Sequence, residues 1–160
     1  IVLERNKNKL EITQEILKIL REKQVTAPLG EATKGVQLKA DILVVDDEEE
    51  PVQLLKNYLS KKGYNVDIAL SGEEAIFKLN TAQPDVVFLD IRMAGMDGIV
   101  TLKNIKNINK SITVIMTTAV GDDEIVKKAI ELGANGYLIK PFNLNKLETT
   151  ILSNTLQKYL

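Results

Sequence analysis

The chain has 160 residues, 44% hydrophobic and 27% charged, a size and mix that suit one globular domain of about 100–150 residues plus an extension. A formal net charge of -1 supplies no basic field for gripping a phosphate backbone, so direct nucleic-acid binding is not expected. With no cysteine and no histidine, Cys/His zinc sites, Ser-His or Cys-His nucleophiles and a phosphohistidine carried by this chain are excluded, and any chemistry must use carboxylates, hydroxyls, lysines or a hard metal ion.

Residues 1–24 read as a polar helix with Leu3, Leu10 and Leu17 seven apart and Ile16, Ile19 and Leu20 beside them, a narrow stripe suited to a short coiled coil or to packing on a neighbour. Residues 25–39 carry Pro28, Gly30 and Gly35 among small and charged residues and read as a linker, so the main domain is expected over 40–160. No apolar stretch approaches the roughly 18 residues of a membrane span, and the first residues lack the basic-then-apolar order of a signal peptide. A soluble, cytoplasmic protein without membrane contact is expected.

From residue 40 strand and helix patterns alternate. Residues 42–45 are wholly apolar; 51–62 place Val52, Leu55 and Leu59 on one helical face and stop at Gly63. Val66, Ile68 and Leu70 alternate with Asn65, Asp67 and Ala69 as in a half-exposed edge strand, and Ser71 with Glu74 forms a capping-box pattern opening the next helix. Residues 85–89, 112–116 and 136–139 give three more strands, each apolar enough to be buried on both faces. Helices are expected over 98–107, 122–132 and 143–159, the last with Leu144, Leu147 and Ile151 on its apolar face. This (βα)5 order implies a doubly wound α/β fold: a parallel sheet, helices on both sides and right-handed crossovers, preceded by a helical extension.

In such sheets the functional crevice lies beyond the carboxyl ends of the strands. Polar residues recur there: Asp46 and Asp47 after the first strand, Asp90 after the third, Thr117 and Thr118 after the fourth, Lys140 after the fifth. Taken singly each has an ordinary reading. The run 46–50 could be acidic residues favoured at a helix N-terminus, Asp90 a turn residue, Thr118 a strand-ending hydroxyl and Lys140 a solvated lysine. Those readings do not place all of them on one rim. Three crowded carboxylates repel, raise the pKa of at least one member and become tolerable around a divalent cation. Mg²⁺ suits such oxygen ligands and bridges carboxylates to phosphate oxygens, so an Asp there could attack phosphorus while Lys140 and Thr118 neutralise the other oxygens.

The segments ILVVDD at 42–47, LDIRMAGMDG at 89–98, MTTA at 116–119 and YLIKP at 137–141 resemble, in order and spacing, the receiver domain of two-component response regulators, the chemotaxis-regulator fold. The resemblance covers about three quarters of the chain and implies the flavodoxin-like strand order 2-1-3-4-5. It implies Asp90 as phosphoacceptor, and Mg²⁺ held by Asp46, Asp47, Asp90 and the backbone carbonyl of Arg92. Lys140 and Thr118 would contact the phosphoryl oxygens, and Ala119 would leave the phosphoryl path open. A cis bond between Lys140 and Pro141 is implied, as is a switch in which Tyr137 turns inward when Thr118 moves; an ordinary half-buried strand tyrosine is the alternative. Arg92 and Val120 stand where the family tunes phosphate lifetime, and an arginine over the site should slow autodephosphorylation. Ala94 replaces the family's usual proline, so a less rigid loop and weaker Mg²⁺ binding are expected.

The implied partners are a histidine kinase or phosphotransfer protein and, through the fourth helix, fifth strand and fifth helix, a downstream protein or a second copy. That face is expected to include Lys127, Lys128, Tyr137, Lys146 and Leu147, although Asp123 with Lys127 and Glu124 with Lys128 also read as plain helix pairs. With no output domain after Leu160, a stand-alone regulator, a relay intermediate or the receiver of a hybrid kinase is expected. Other classes remain: an interaction module that is never phosphorylated, or a haloacid-type phosphatase. The latter needs a second aspartate two residues after the first, where this chain has Arg92.

Overall fold

In the computed structural model, residues 40–119, 121–144, 147, 150 and 151 are described. The expected N-terminal helix and linker, Val120 and most of the last helix lie outside the described residues. Lys39–Phe142 form one compact unit. Beyond it Leu144, Leu147, Thr150 and Ile151 are helical, and Leu147 and Ile151 are buried.

The unit runs β1 (Asp41–Val45), α1 (Glu49–Lys61), β2 (Asn65–Ala69), α2 (Gly72–Leu79), β3 (Val86–Asp90), α3 (Gly98–Ile108), β4 (Thr113–Thr118), α4 (Asp123–Glu131) and β5 (Gly136–Ile139). All four strand pairings are parallel and the order is β2-β1-β3-β4-β5, as expected. Every residue of β3 and β4 is buried, which is why these segments read as apolar runs without alternation. Leu43, Val45, Val87, Leu89, Val114 and Met116 pack on one face with Ala75 and Leu79 of α2, Leu102 and Ile105 of α3 and Ala129 of α4. Val52, Leu55 and Leu59 of α1 are buried with the alternate strand residues on the other face.

Three local signals are realised with adjustments. Helix α1 begins two residues ahead of Pro51, because a proline in the first turn forfeits no helical hydrogen bond. The Ser71 hydroxyl accepts from the Glu74 N–H at 3.0 Å, but the Glu74 carboxylate reaches one residue further back, to the Leu70 N–H at 2.8 Å. That leaves Leu70 exposed and Ala69 fully buried, the reverse of the expected alternation at the strand's end. A larger correction concerns β5. It is an edge strand with one neighbour, so only Leu138 is buried while Tyr137 and Ile139 are about half exposed.

Register then builds the rim. Val45 pairs with Leu89, Asp90 with Thr117 and Thr118 with Ile139, so Asp46, Asp90, Thr118 and Lys140 leave adjacent strands at the same level. Gly98 opens α3 directly against the end of β3: a Cβ there would lie 2.2 Å from the Asp90 carbonyl oxygen, so no side chain is tolerated behind the aspartate.

Candidate functional site

Carboxylate oxygens of Asp46, Asp47 and Asp90 lie within 4.8 Å of one another. Asp46 and Asp90 are buried and Asp47 is exposed at the mouth. The Lys140 ammonium sits 2.6 Å from Asp46 Oδ2 and 3.5 Å from Asp90 Oδ1, reaching across from the loop after β5. It neutralises the pair that would otherwise repel most strongly, since both are shielded from water. The Lys140–Pro141 bond is cis, as the resemblance implied.

Backbone donors fix the remaining orientation. The Glu48 N–H donates to Asp46 Oδ1 at 3.0 Å, and the Ala94 N–H donates to Asp47 Oδ2 at 3.0 Å. A proline at 94 could not make the second bond, so the residue that departs from the family pattern tethers one acidic side chain. Burial, and then the neighbouring Asp46 charge, push the Asp90 carboxyl up to about 6 despite opposition from Lys140 and the Arg92 backbone N–H. Burial pulls the Lys140 ammonium down, but its hydrogen bond to Asp46 and the charges of Asp90 and Asp46 outweigh that and raise it above its ordinary value.

The donor set is three carboxylates and nothing softer, close enough together to share one cation, which fits a hard divalent ion such as Mg²⁺. Of the other expected site residues, Thr118 is buried at the end of β4, Ala119 is exposed, and Tyr137 stands half exposed on β5. The Thr118 hydroxyl is not directed at the acidic cluster. It lies 3.0 Å from Asp122 Oδ2, to which it donates.

Asp122 is the residue that sequence reasoning missed. It was read only as the start of a helix, and it does occupy the position before α4, yet its side chain makes no capping bond. The carboxylate instead accepts Thr118 and a two-nitrogen fork from Arg92, whose Nε lies 3.1 and 3.2 Å from its two oxygens. Those Arg92 bonds, against the effect of burial, hold the Asp122 carboxyl below the usual carboxylate range. An arginine two residues after Asp90 and an acid four residues after Thr118 are the only sequence traces of this pairing. Glu73 of α2 was missed too; it accepts the Met96 N–H at 3.1 Å and ties the loop after β3 to α2.

No helix among the described residues is long and apolar enough to cross a membrane. The response regulator receiver domain family matches residues 42–152. The transcriptional regulatory protein ZraR of Salmonella typhimurium is 42% identical over 113 residues, 71% of this chain but 26% of that protein, so the chain spans about a quarter of this relative. Sporulation initiation phosphotransferase F of Bacillus subtilis is 36% identical over 119 residues, covering 74% of this chain and 92% of that protein. Among solved structures, a response regulator receiver domain protein from Clostridium thermocellum superposes with a TM-score of 0.69 at 36% identity, over 74% of this chain and 96% of that one. Five parallel strands in the order 2-1-3-4-5, an acidic pocket able to hold a metal ion at the end of β1 and β3, and these likenesses lead to one conclusion: the chain belongs to the response regulator receiver domain family, signalling modules that partner histidine kinases.

Proposed function

We propose that this receiver accepts a phosphoryl group on Asp90 from a histidine kinase or phosphotransfer protein, in a Mg²⁺-dependent reaction that the domain itself catalyses. The observation that carries the reading is the buried Asp46–Asp90 pair with Lys140 held between them and Asp47 at the mouth. An Asp90 oxygen forms a bond to phosphorus as the donor's bond breaks; with acetyl phosphate the electron pair leaves on acetate and no proton is consumed. Lys140 is placed to take a phosphoryl oxygen when it lets go of Asp46. Asp46, Asp47, Asp90 and the Arg92 carbonyl would hold Mg²⁺, which supplies charge neutralisation between carboxylate and phosphoryl oxygens. Ala119 keeps the approach open, and Thr118 and Tyr137 are the switch. The side chain of Arg92, two residues after the acceptor, and Val120 would set how long the phosphoryl group survives.

The face that responds is proposed to comprise α4, β5 and the last helix, with a downstream protein or a second copy as its partner. Ile130, Tyr137 and Ile139 are exposed there at 45%, 50% and 47%, beside exposed Lys127 and Lys128. Leu147, expected on this face, is instead buried; Lys146 lies outside the described residues.

The test is the intact mass of the protein after incubation with acetyl phosphate. One phosphate adduct is expected with Mg²⁺, none without it and none in Asp90→Asn. An adduct that survives in Asp90→Asn would sink the assignment. Mg²⁺ affinity checks the Ala94 departure. The Ala94 N–H competes with the ion for Asp47, so Ala94→Pro, which removes the donor and stiffens the loop, is expected to bind Mg²⁺ a few-fold more tightly by titration.

A further inference from the structure

Asp122 is a buried carboxylate outside the acidic cluster that gathers two side-chain donors from the loops flanking Asp90. Arg92 comes from the β3 end, Thr118 from the β4 end, and Asp122 itself is the first residue before α4. The exposures are unequal: the Arg92 side chain is 66% exposed and that of Asp122 6%. A flexible surface arginine has therefore been folded inward onto a fixed buried acid. Thr118 has one hydroxyl hydrogen, and Asp122 Oδ2 at 3.0 Å is nearer than the other acceptor within reach, the Ala119 carbonyl at 3.2 Å. While that bond stands, the hydroxyl cannot serve a group on Asp90. The helix end bears a complementary mark: Asp122 sits in the N-cap position, with the residue type best suited to capping, and does not cap.

We propose that Asp122 is a positioning residue that works as an intramolecular stand-in for the phosphoryl group, holding Thr118 and Arg92 in the unphosphorylated form and releasing them when Asp90 is modified. The idea rests on Asp90 being the acceptor. A phosphoryl group there brings a second acceptor of higher charge to the same two donors, and both cannot be satisfied at once. As Thr118 and Arg92 transfer, Asp122 loses its side-chain partners and turns to the free N–H groups of Glu124 and Ile125, the cap it forgoes in the resting form. Modification at β3 is thereby converted into a change at the first turn of α4 through two named donors. The latch also makes the competent form a minority in the resting protein, and apparent affinity for the modifying group falls by that fraction.

The experiment uses the full chain and beryllofluoride with Mg²⁺ as the probe, read by ¹H–¹⁵N NMR. Asp122→Asn keeps the shape and the capping ability but removes the charge that holds Arg92. Arg92→Ala breaks the same contact from the exposed side and guards against misfolding of the buried variant. Asp122→Asn is expected to bind the probe about tenfold more tightly than wild type, a difference of about 1.4 kcal/mol; Arg92→Ala, which opens the latch but also removes a donor to the bound probe, is expected to gain less. The double variant is expected to bind no more tightly than Asp122→Asn alone, since both changes cut one contact. Without probe, the Ala119, Glu124 and Ile125 amides of both variants are expected to move toward the positions that wild type reaches when saturated. Unchanged affinity in Asp122→Asn, a double variant that binds more tightly than Asp122→Asn, or variant amides that stay at the resting wild-type positions would each overturn the latch. A wild-type protein that shows no response to the probe would overturn the Asp90 reading itself, and the latch with it.

Discussion

Lys140→Met is expected to lower the rate of phosphorylation by acetyl phosphate by about 100- to 1000-fold, the loss that follows when one electrostatic donor is taken from a partly buried transition-state site. The lysine lies 2.6 Å from Asp46 and 3.5 Å from Asp90, and no other ammonium or guanidinium reaches either carboxylate among the described residues. Methionine keeps the length and apolar stem, so the change isolates the charge. The same substitution destabilises the metal-free fold, because Asp46 and Asp90 remain buried and face each other uncompensated. Breaking a fully buried pair costs about 3–5 kcal/mol, and the lysine's 27% exposure reduces this to about 1–2 kcal/mol. Mg²⁺ replaces part of the missing charge and should narrow the stability gap. Thermal melts with and without Mg²⁺ check this, and a gap that widens on adding Mg²⁺ would contradict the assigned role.

Asp90→Asn is expected to act in the opposite direction on stability while abolishing the adduct. Burial, with the Asp46 charge, raises the Asp90 carboxyl to about 6 in the folded protein, above an ordinary value near 4 in the unfolded chain. Between these values the folded state binds the proton that the unfolded state has lost, so stability falls as pH rises through this window. Above pH 6 the whole penalty is present. After allowance for partial solvent access, this penalty is about 2 kcal/mol. Asp90→Asn is therefore expected to melt several degrees higher than wild type at pH 7.5 without Mg²⁺. The difference should shrink from pH 6 toward pH 4, and shrink at pH 7.5 when Mg²⁺ stabilises only the wild-type pocket. A variant less stable than wild type at pH 7.5 would show that Asp90 holds the fold together instead of straining it.

These opposed effects follow from a pocket whose groups are chosen for chemistry over stability. The acid proposed to carry the chemistry is held at a cost, and the lysine beside it offsets much of that cost. Both sit where the chain can least easily relax: β3 is buried along its whole length, and Gly98 packs against the Asp90 carbonyl with no room for a side chain.

Much of this was legible in the amino-acid order. The wholly apolar run at 42–45 and the run at 112–116, apolar but for Thr113, read as interior strands, and helical stripes between them required a parallel sheet with its polar residues gathered at one end. Asp46, Asp47, Asp90 and Lys140 were named from that logic together with the spacing of four motifs, and all four do converge. What the order of residues could not decide was whatever depends on which neighbour a group finds. The helical stripe that includes Leu147 was visible, but not that burying it removes Leu147 from the outer face. The strand at 136–139 looked like its central neighbours, because edge position belongs to the sheet and not to the segment. Thr118 was correctly placed at the end of β4, yet nothing in the sequence said that its hydroxyl turns to Asp122. From local sequence alone Asp122 read as the first residue of a helix. Tertiary folding brought Arg92, 30 residues away in the chain, to the same carboxylate, and a charge-assisted fork outweighs a local cap.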